Sequence, residues 1–186
     1  MDQFGLSVSS IDSLLLTHEH YDHVSGLKVL AKKIPLTIYT SQGTYDGLNL
    51  ETKSVLASQN VSIVKAEEVI GLEDCKITVL RLHHDSKEPI GFVFEEFDKK
   101  FVYITDTGFV DQIYYPLISN ADGYVMESNY DVELLWSSNR PFILKQRIDG
   151  DHGHMSNETS AVLLSNIIGV NTKFVVRAHI SHDCNY

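Results

Sequence analysis

One loop, Thr17-His18-Glu19-His20-Tyr21-Asp22-His23, most narrows what this chain can become. His18, His20, Asp22 and His23 place three imidazoles and a carboxylate within six consecutive residues. The buried-looking run from Ile11 to Leu16 leads directly into it, and Ile11–Thr17 reads as a buried strand. A polar loop at a strand end is a common way to open a catalytic site. Neutral imidazole and carboxylate suit zinc and similar divalent metals. His18 and His20, two residues apart, project to one side of an extended segment, while Asp22 and His23 follow on a turn and can face a second ion. A solvated histidine-rich loop would share this composition, but donors this dense behind an apolar strand point to a ligand.

The 186 residues suffice for one domain, 1–186, with a sizeable core. No apolar run reaches the length that crosses a bilayer, and the N-terminus lacks the basic, apolar and small-residue order of a signal peptide. Two cysteines, Cys75 and Cys184, are too few for a disulfide framework, although one bridge between them is open. A reduced, cytoplasmic home is the expectation, with no membrane contact. The net charge of −10 argues against a broad basic face for nucleic acid. A phosphate-handling enzyme would then attract its substrate locally, through bound metal.

Further along, Ser25–Lys33 has helical spacing, with Leu27, Leu30 and Ala31 on one side and Lys28, Lys32 and Lys33 on the other. Leu36–Thr40 reads as a strand, which completes a βαβ unit. Ser41–Ser58 reads as helical or irregular, and Met1–Ser10 as a loop or helix end. From Val61 to Phe101 the pattern is strand-rich. Asp98-Lys99-Lys100 reads as a hairpin turn between Ile90–Phe97 and Phe101–Thr105. Phe109–Ile118 is expected to be helical, Tyr124–Glu127 a central strand, and Pro141–Ile148 a helix opened by its proline. Ser156–Ile168 reads as a helix capped by Ser156 or Asn157, and Lys173–Ala178 as the last strand. The order is mixed α/β.

Three more polar groups follow strands: His83-His84-Asp85, Thr105-Asp106-Thr107-Gly108, and His179 with His182. Singly, each has an ordinary reading as a surface histidine, a turn aspartate or a packed histidine. Their joint order behind the first loop carries the weight. That order, His18-x-His20-x-Asp22-His23, then His84, Asp106 and His179, resembles the metallo-β-lactamase superfamily. The resemblance implies an αββα sandwich and two divalent ions, zinc or manganese. It implies His18, His20 and His84 on one ion, Asp22, His23 and His179 on the other, and Asp106 bridging both. A bridging hydroxide would be the nucleophile, with Asp22 orienting it.

Gly153-His154-Met155-Ser156-Asn157 stands before a helix and resembles the box of the superfamily's phosphodiesterase branches. In those, its histidine gives a proton to the departing oxygen, a contribution of about 10²–10⁴ in rate. The alternative is a histidine that merely precedes a helix cap. The segments around His20–Leu30, His84–Gly91, Thr105–Phe109, Glu127-Ser128-Asn129, Leu144-Lys145-Gln146-Arg147-Ile148 and Gly153–Glu158 are similar to the YycJ/WalJ (VicX) family. This implies a metal-dependent 5′-to-3′ exonuclease whose partner is nucleic acid, DNA before RNA.

The chain departs from that family at His83, Tyr130, His152 and Cys184. Tyr130 leaves any substrate role there in doubt, and a thiol at Cys184 could bind metal or oxidise. Few residues precede His18 and few follow His179, so the resemblance implies a chain shortened at both ends. Much of the N-terminal sheet would be missing, with exposed core surface and self-association as the expected result. Other readings are a small-molecule hydrolase (cyclic phosphodiesterase or thioesterase) and a metal-binding but inactive fragment.

Overall fold

In the computed structural model, which describes residues 5 and 7–186, the chain divides into two compact units. One comprises the residues up to Lys65 together with Ser86–Ile90; the other comprises Ala66–Asp85 and Gly91–Tyr186. Of the expected N-terminal loop, Met1–Phe4 and Leu6 lie outside the described residues, and Val8–Ser10 forms a 3-10 turn.

The first unit holds β1 (Ser13–Leu15), α1 (Tyr21–Val24), α2 (Leu27–Ala31), β2 (Thr37–Thr40), α3 (Gln42–Gly47), α4 (Leu50–Leu56) and β3 (Asn60–Ile63). Its three strands are parallel, with Leu14 opposite Ile38 and Ile38 opposite Val61. The helical spacing read between Ser25 and Lys33 is real. Leu27 and Ala31, one turn apart, enter a core with Leu16, Val24, Ile38 and Leu56, while Lys28 points out to Glu51 at 2.8 Å. Ser41 and Asn49 cap α3 and α4 by accepting the backbone N–H of Thr44 and Thr52. Both helices lie where a helical or irregular stretch is expected.

The second unit is a six-stranded sheet in the order β4-β5-β6-β7-β8-β9. The strands are Val69–Leu72, Cys75–Arg81, Ile90–Glu96, Lys99–Ile104, Gly123–Glu127 and Phe174–Ala178. β4/β5 and β6/β7 are antiparallel; β7, β8 and β9 run parallel. The β6/β7 turn is tighter than the sequence suggests. Lys99 already pairs with Glu96, so only Phe97 and Asp98 make the turn, with Phe97 in the left-handed region at φ 51°.

Helices α5 (Tyr115–Ile118), α6 (Val132–Ser137), α7 (Phe142–Ile148) and α8 (Asn157–Ile167) complete the unit. The helix expected over Phe109–Ile118 shrinks to a 3-10 turn at Gln112–Tyr114 followed by α5. Pro116 in the first turn of α5 has no N–H to continue a helix arriving from the N-terminal side. Ile118 of α5 and Leu163 and Ile167 of α8 pack on Val102, Ile104, Tyr124 and Met126 of the sheet. Each such fully buried side chain contributes about 1.5–3 kcal/mol. Ser156 caps α8, as expected, through the N–H of Thr159. Pro141 is the cap of α7 and Phe142 its first residue. Cys75 and Cys184 are free thiols, so the bridge does not form. Among the described residues no helix is long and apolar enough to cross a membrane.

Candidate metal centre

In the first unit, β1 delivers the histidine loop and α1 ends it. Asp22 and His23 therefore sit on a helical turn, not an irregular one, with His20 as its N-cap residue. The His18 ring lies 4.7 Å from that of His20 and 4.1 Å from that of His23, centroid to centroid. His18 is buried, and its Nδ1 meets the Thr17 hydroxyl at 3.2 Å. Asp22 Oδ2 lies 3.4 Å from His23 Nε2. The four first-loop residues expected to act together are thus neighbours in space.

In the second unit, three parallel strands end side by side, and each end supplies a polar group. Asp106 follows β7, Glu127 closes β8, and His179 follows β9. This is the carboxyl edge of a parallel sheet, where α/β proteins place their ligands. Asp106 (φ 60°) and His179 (φ 52°) both occupy the left-handed region. That costs a side chain energy, is least unfavourable for types such as Asp and His, and is retained where surrounding structure demands it. Asp106 Oδ1 stands 3.3 Å from His179 Nε2 and 3.9 Å from both His84 Nε2 and His154 Nδ1. The His154 ring lies 4.8 Å from that of His84 and 4.9 Å from that of His179. His84, Asp106, His154 and His179, far apart in the chain, therefore converge.

Glu127 organises this group. It is fully buried. Its Oε1 accepts from Nδ1 of His154 at 2.8 Å and of His179 at 2.9 Å, and its Oε2 accepts from the backbone N–H of Thr107 and Met155. Burial alone would push this carboxyl up. The hydrogen bonds of His154 and His179, the charge of His154 and the Thr107 N–H outweigh it and hold the group at about 2. Sequence reasoning quoted Glu127 within a motif but gave it no part. A lone glutamate ending an apolar strand carries no signal of its own.

The arrangement fits a divalent cation. Nδ1 of His84 is bonded to Gly153 O at 2.9 Å and Nδ1 of His179 to Glu127, so each ring presents Nε2 toward the buried Asp106 carboxylate. Ligand histidines are oriented in this way, with the far nitrogen tied to a carboxylate or carbonyl. Burial pushes the His84 imidazole down, against the Gly153 hydrogen bond, and so favours the neutral form that binds metal. Asp106, Glu127, His154 and His179 alone offer four donor atoms within 4.8 Å of one another.

The His154 loop is built into the same frame. His154 N–H donates to Ile148 O at the end of α7, and Gly108 N–H donates to His83 O. A Cβ on Gly153 would lie 2.2 Å from Ile148 O, and one on Gly108 2.2 Å from Asp151 O, so only glycine fits at either place.

The departures resolve into structural roles. His83 turns away to Asp111 at 2.7 Å and stacks on Phe109. His152 lies exposed, with its ring edge-on to His83 at 6.1 Å. Tyr130 is buried, its hydroxyl on Asp149. Cys184 is buried beside Tyr130, Leu135 and Ile148, an apolar surrounding that leaves its thiol inert.

The model of the "Beta-lactamase superfamily domain" matches residues 4–180. Exodeoxyribonuclease YycJ of Bacillus anthracis is 34% identical over 183 residues, which make up 98% of this chain and 69% of that protein. Exodeoxyribonuclease WalJ of Streptococcus pneumoniae serotype 2 is 36% identical over 176 residues, 94% of this chain and 65% of that protein. The chain thus spans about two thirds of the length of these relatives. Among solved structures, the metallo-β-lactamase fold protein YhfI from Bacillus subtilis superposes with a TM-score of 0.70. It is 17% identical, with 97% of this chain and 69% of that one covered, a likeness of fold.

Proposed function

This chain belongs to the metallo-β-lactamase superfamily, and from that premise we propose that it is a metal-dependent phosphodiester hydrolase acting on nucleic acid, a 5′-to-3′ DNA exonuclease. The observation that carries the reading is the joint hold of Glu127 on His154 and His179 beside Asp106. The relatives' name, exodeoxyribonuclease, supplies the substrate class.

The proposed ligands are His18, His20 and His84 for one ion, Asp22, His23 and His179 for a second, and Asp106 for both, following the order of motifs along the chain. Bound divalent ions would supply a water whose pKa is lowered to ~7 and positive charge for the phosphoryl oxygens. The chain's own residues do the rest. Glu127 holds Nδ1 of His154 and so fixes the direction in which the ring presents its far nitrogen. With Nδ1–H given to Glu127, the Nε2–H of His154 is the proton available to an alkoxide leaving group. Asp22 would orient the attacking hydroxide.

The test is hydrolysis of end-labelled duplex and single-stranded DNA with zinc or manganese. Metal-dependent shortening from the 5′ end is expected, and no hydrolysis of either substrate would remove the nuclease reading. The net charge of −10 favours a second reading, a small-molecule hydrolase. Turnover of bis-p-nitrophenyl phosphate, or of a thioester, without turnover of DNA would establish that instead.

A further inference from the structure

The segment Leu144-Lys145-Gln146-Arg147-Ile148 has no part in the chemistry above, and the structure divides it into an inward and an outward half. Leu144 and Ile148 pack with Tyr130, Leu135 and Cys184. Lys145, although charged, is buried, and its amine donates to the carbonyls of Trp136 (2.8 Å) and Ser138 (2.6 Å), which closes the end of α6. Arg147 points the other way, with its side chain 58% exposed. Its Nε donates to Asp85 Oδ2, and the other oxygen of that carboxylate lies 3.4 Å from His84 Nε2. The guanidinium thus stands one carboxylate away from the nitrogen that His84 offers to a metal. Its two terminal amino groups are hydrogen-bonded to nothing among the described residues.

We infer that Arg147 grips a phosphate of the substrate strand beside the site of cleavage, an inference that rests on the nucleic-acid reading above. With Nε held by Asp85, the remaining edge of the guanidinium presents paired N–H groups that match two phosphate oxygens. Asp85 anchors the inner edge of the group. The backbone fixes its place, since the carbonyls of Arg147 and Ile148 lie 2.3 and 2.2 Å from where a Gly153 Cβ would be, and Ile148 O receives the His154 N–H. The last turn of α7 and the His154 loop are therefore one piece, and the cation keeps register with the proposed proton donor. In a chain of net charge −10, a placed cation gives the local attraction for phosphate that the whole surface does not.

The experiment is equilibrium binding of a fluorescein-labelled single-stranded oligonucleotide, read by anisotropy across a salt series, for the wild type, Arg147→Ala and Arg147→Lys. Hydrolysis of the same oligonucleotide and metal content are followed in parallel. Loss of one charge-assisted contact should weaken binding by Arg147→Ala about 10-fold or more. The plot of log Kd against log salt should become shallower by about 0.7, the share of one phosphate on a single strand. Arg147→Lys should restore the slope and recover only part of the affinity. Unchanged affinity and slope in Arg147→Ala, with a wild type that cuts the oligonucleotide, would sink this inference alone. Loss of bound metal from both variants would make Arg147 a support for Asp85 and His84, and would also overturn it. A wild type that neither binds nor cuts the oligonucleotide would take the reading beneath it down as well.

Discussion

In one unit, His18, His20, Asp22 and His23 come from six consecutive residues and meet because a strand runs straight into a single helical turn. In the other, His84, Asp106, His154 and His179 come from four places between residues 84 and 179 and meet because a sheet and a shared carboxylate bring them together. The first group depends on local geometry. The second depends on the folding of a whole unit, and its donors are held at their far nitrogens by Gly153 O and Glu127. The assembled group should therefore be the more rigid and the more sensitive to changes outside the donors themselves.

The largest effect is expected at the centre of the assembled group. Asp106→Asn should bring hydrolysis of labelled DNA below detection and lower the metal content seen by elemental analysis. If metal and activity both survive, the convergence around Asp106 has another purpose. His154→Ala should slow turnover by about 10²–10⁴ while metal content stays at the wild-type level. Metal loss in that variant would move His154 from proton donor to ligand.

Glu127→Gln tests the comparison most directly, since it touches no proposed ligand atom. It removes the anion behind two imidazoles, and metal affinity measured by calorimetry should fall about 10–100-fold. An unchanged affinity would mean that the assembled group needs no support and differs little from the contiguous one. Gly153→Ala should be milder. Displacing the Ile148 carbonyl should cost about 1–3 kcal/mol, seen as a Tm lower by some 2–4 °C per kcal/mol. Activity should fall further than stability, because His84 leans on the Gly153 carbonyl.

The contrast also explains what could be read from the chain. The histidine loop, the helical stripe of Leu27 and Ala31, the Ser156 cap and the existence of strands β8 and β9 were legible, because each is a short-range pattern, whereas the parallel pairing of β8 with β9 was not. His84, Asp106, His154 and His179 were legible only through their order, since none is distinctive beside its immediate neighbours. Glu127 was not legible in role. Its partners lie 20, 27, 28 and 52 residues further away, at Thr107, His154, Met155 and His179. The short helix at Tyr21–Val24 was missed because four residues are too few for a periodic signal. The inert surroundings of Cys184 depend on packing with Tyr130, Leu135 and Ile148, which no local pattern announces.

Asp106, Glu127 and His179 close three adjacent strands, so the lattice of the sheet acts as their ruler. Strands repeat at about 4.8 Å, and side chains that crown neighbouring strands inherit that pitch. Sliding β9 by one residue against β8 would turn His179 to the opposite face and present Ala178 or Ile180 in its stead. Drift in this family should therefore tolerate exchange of the β8 and β9 side chains other than Glu127 more readily than any insertion or deletion within those strands.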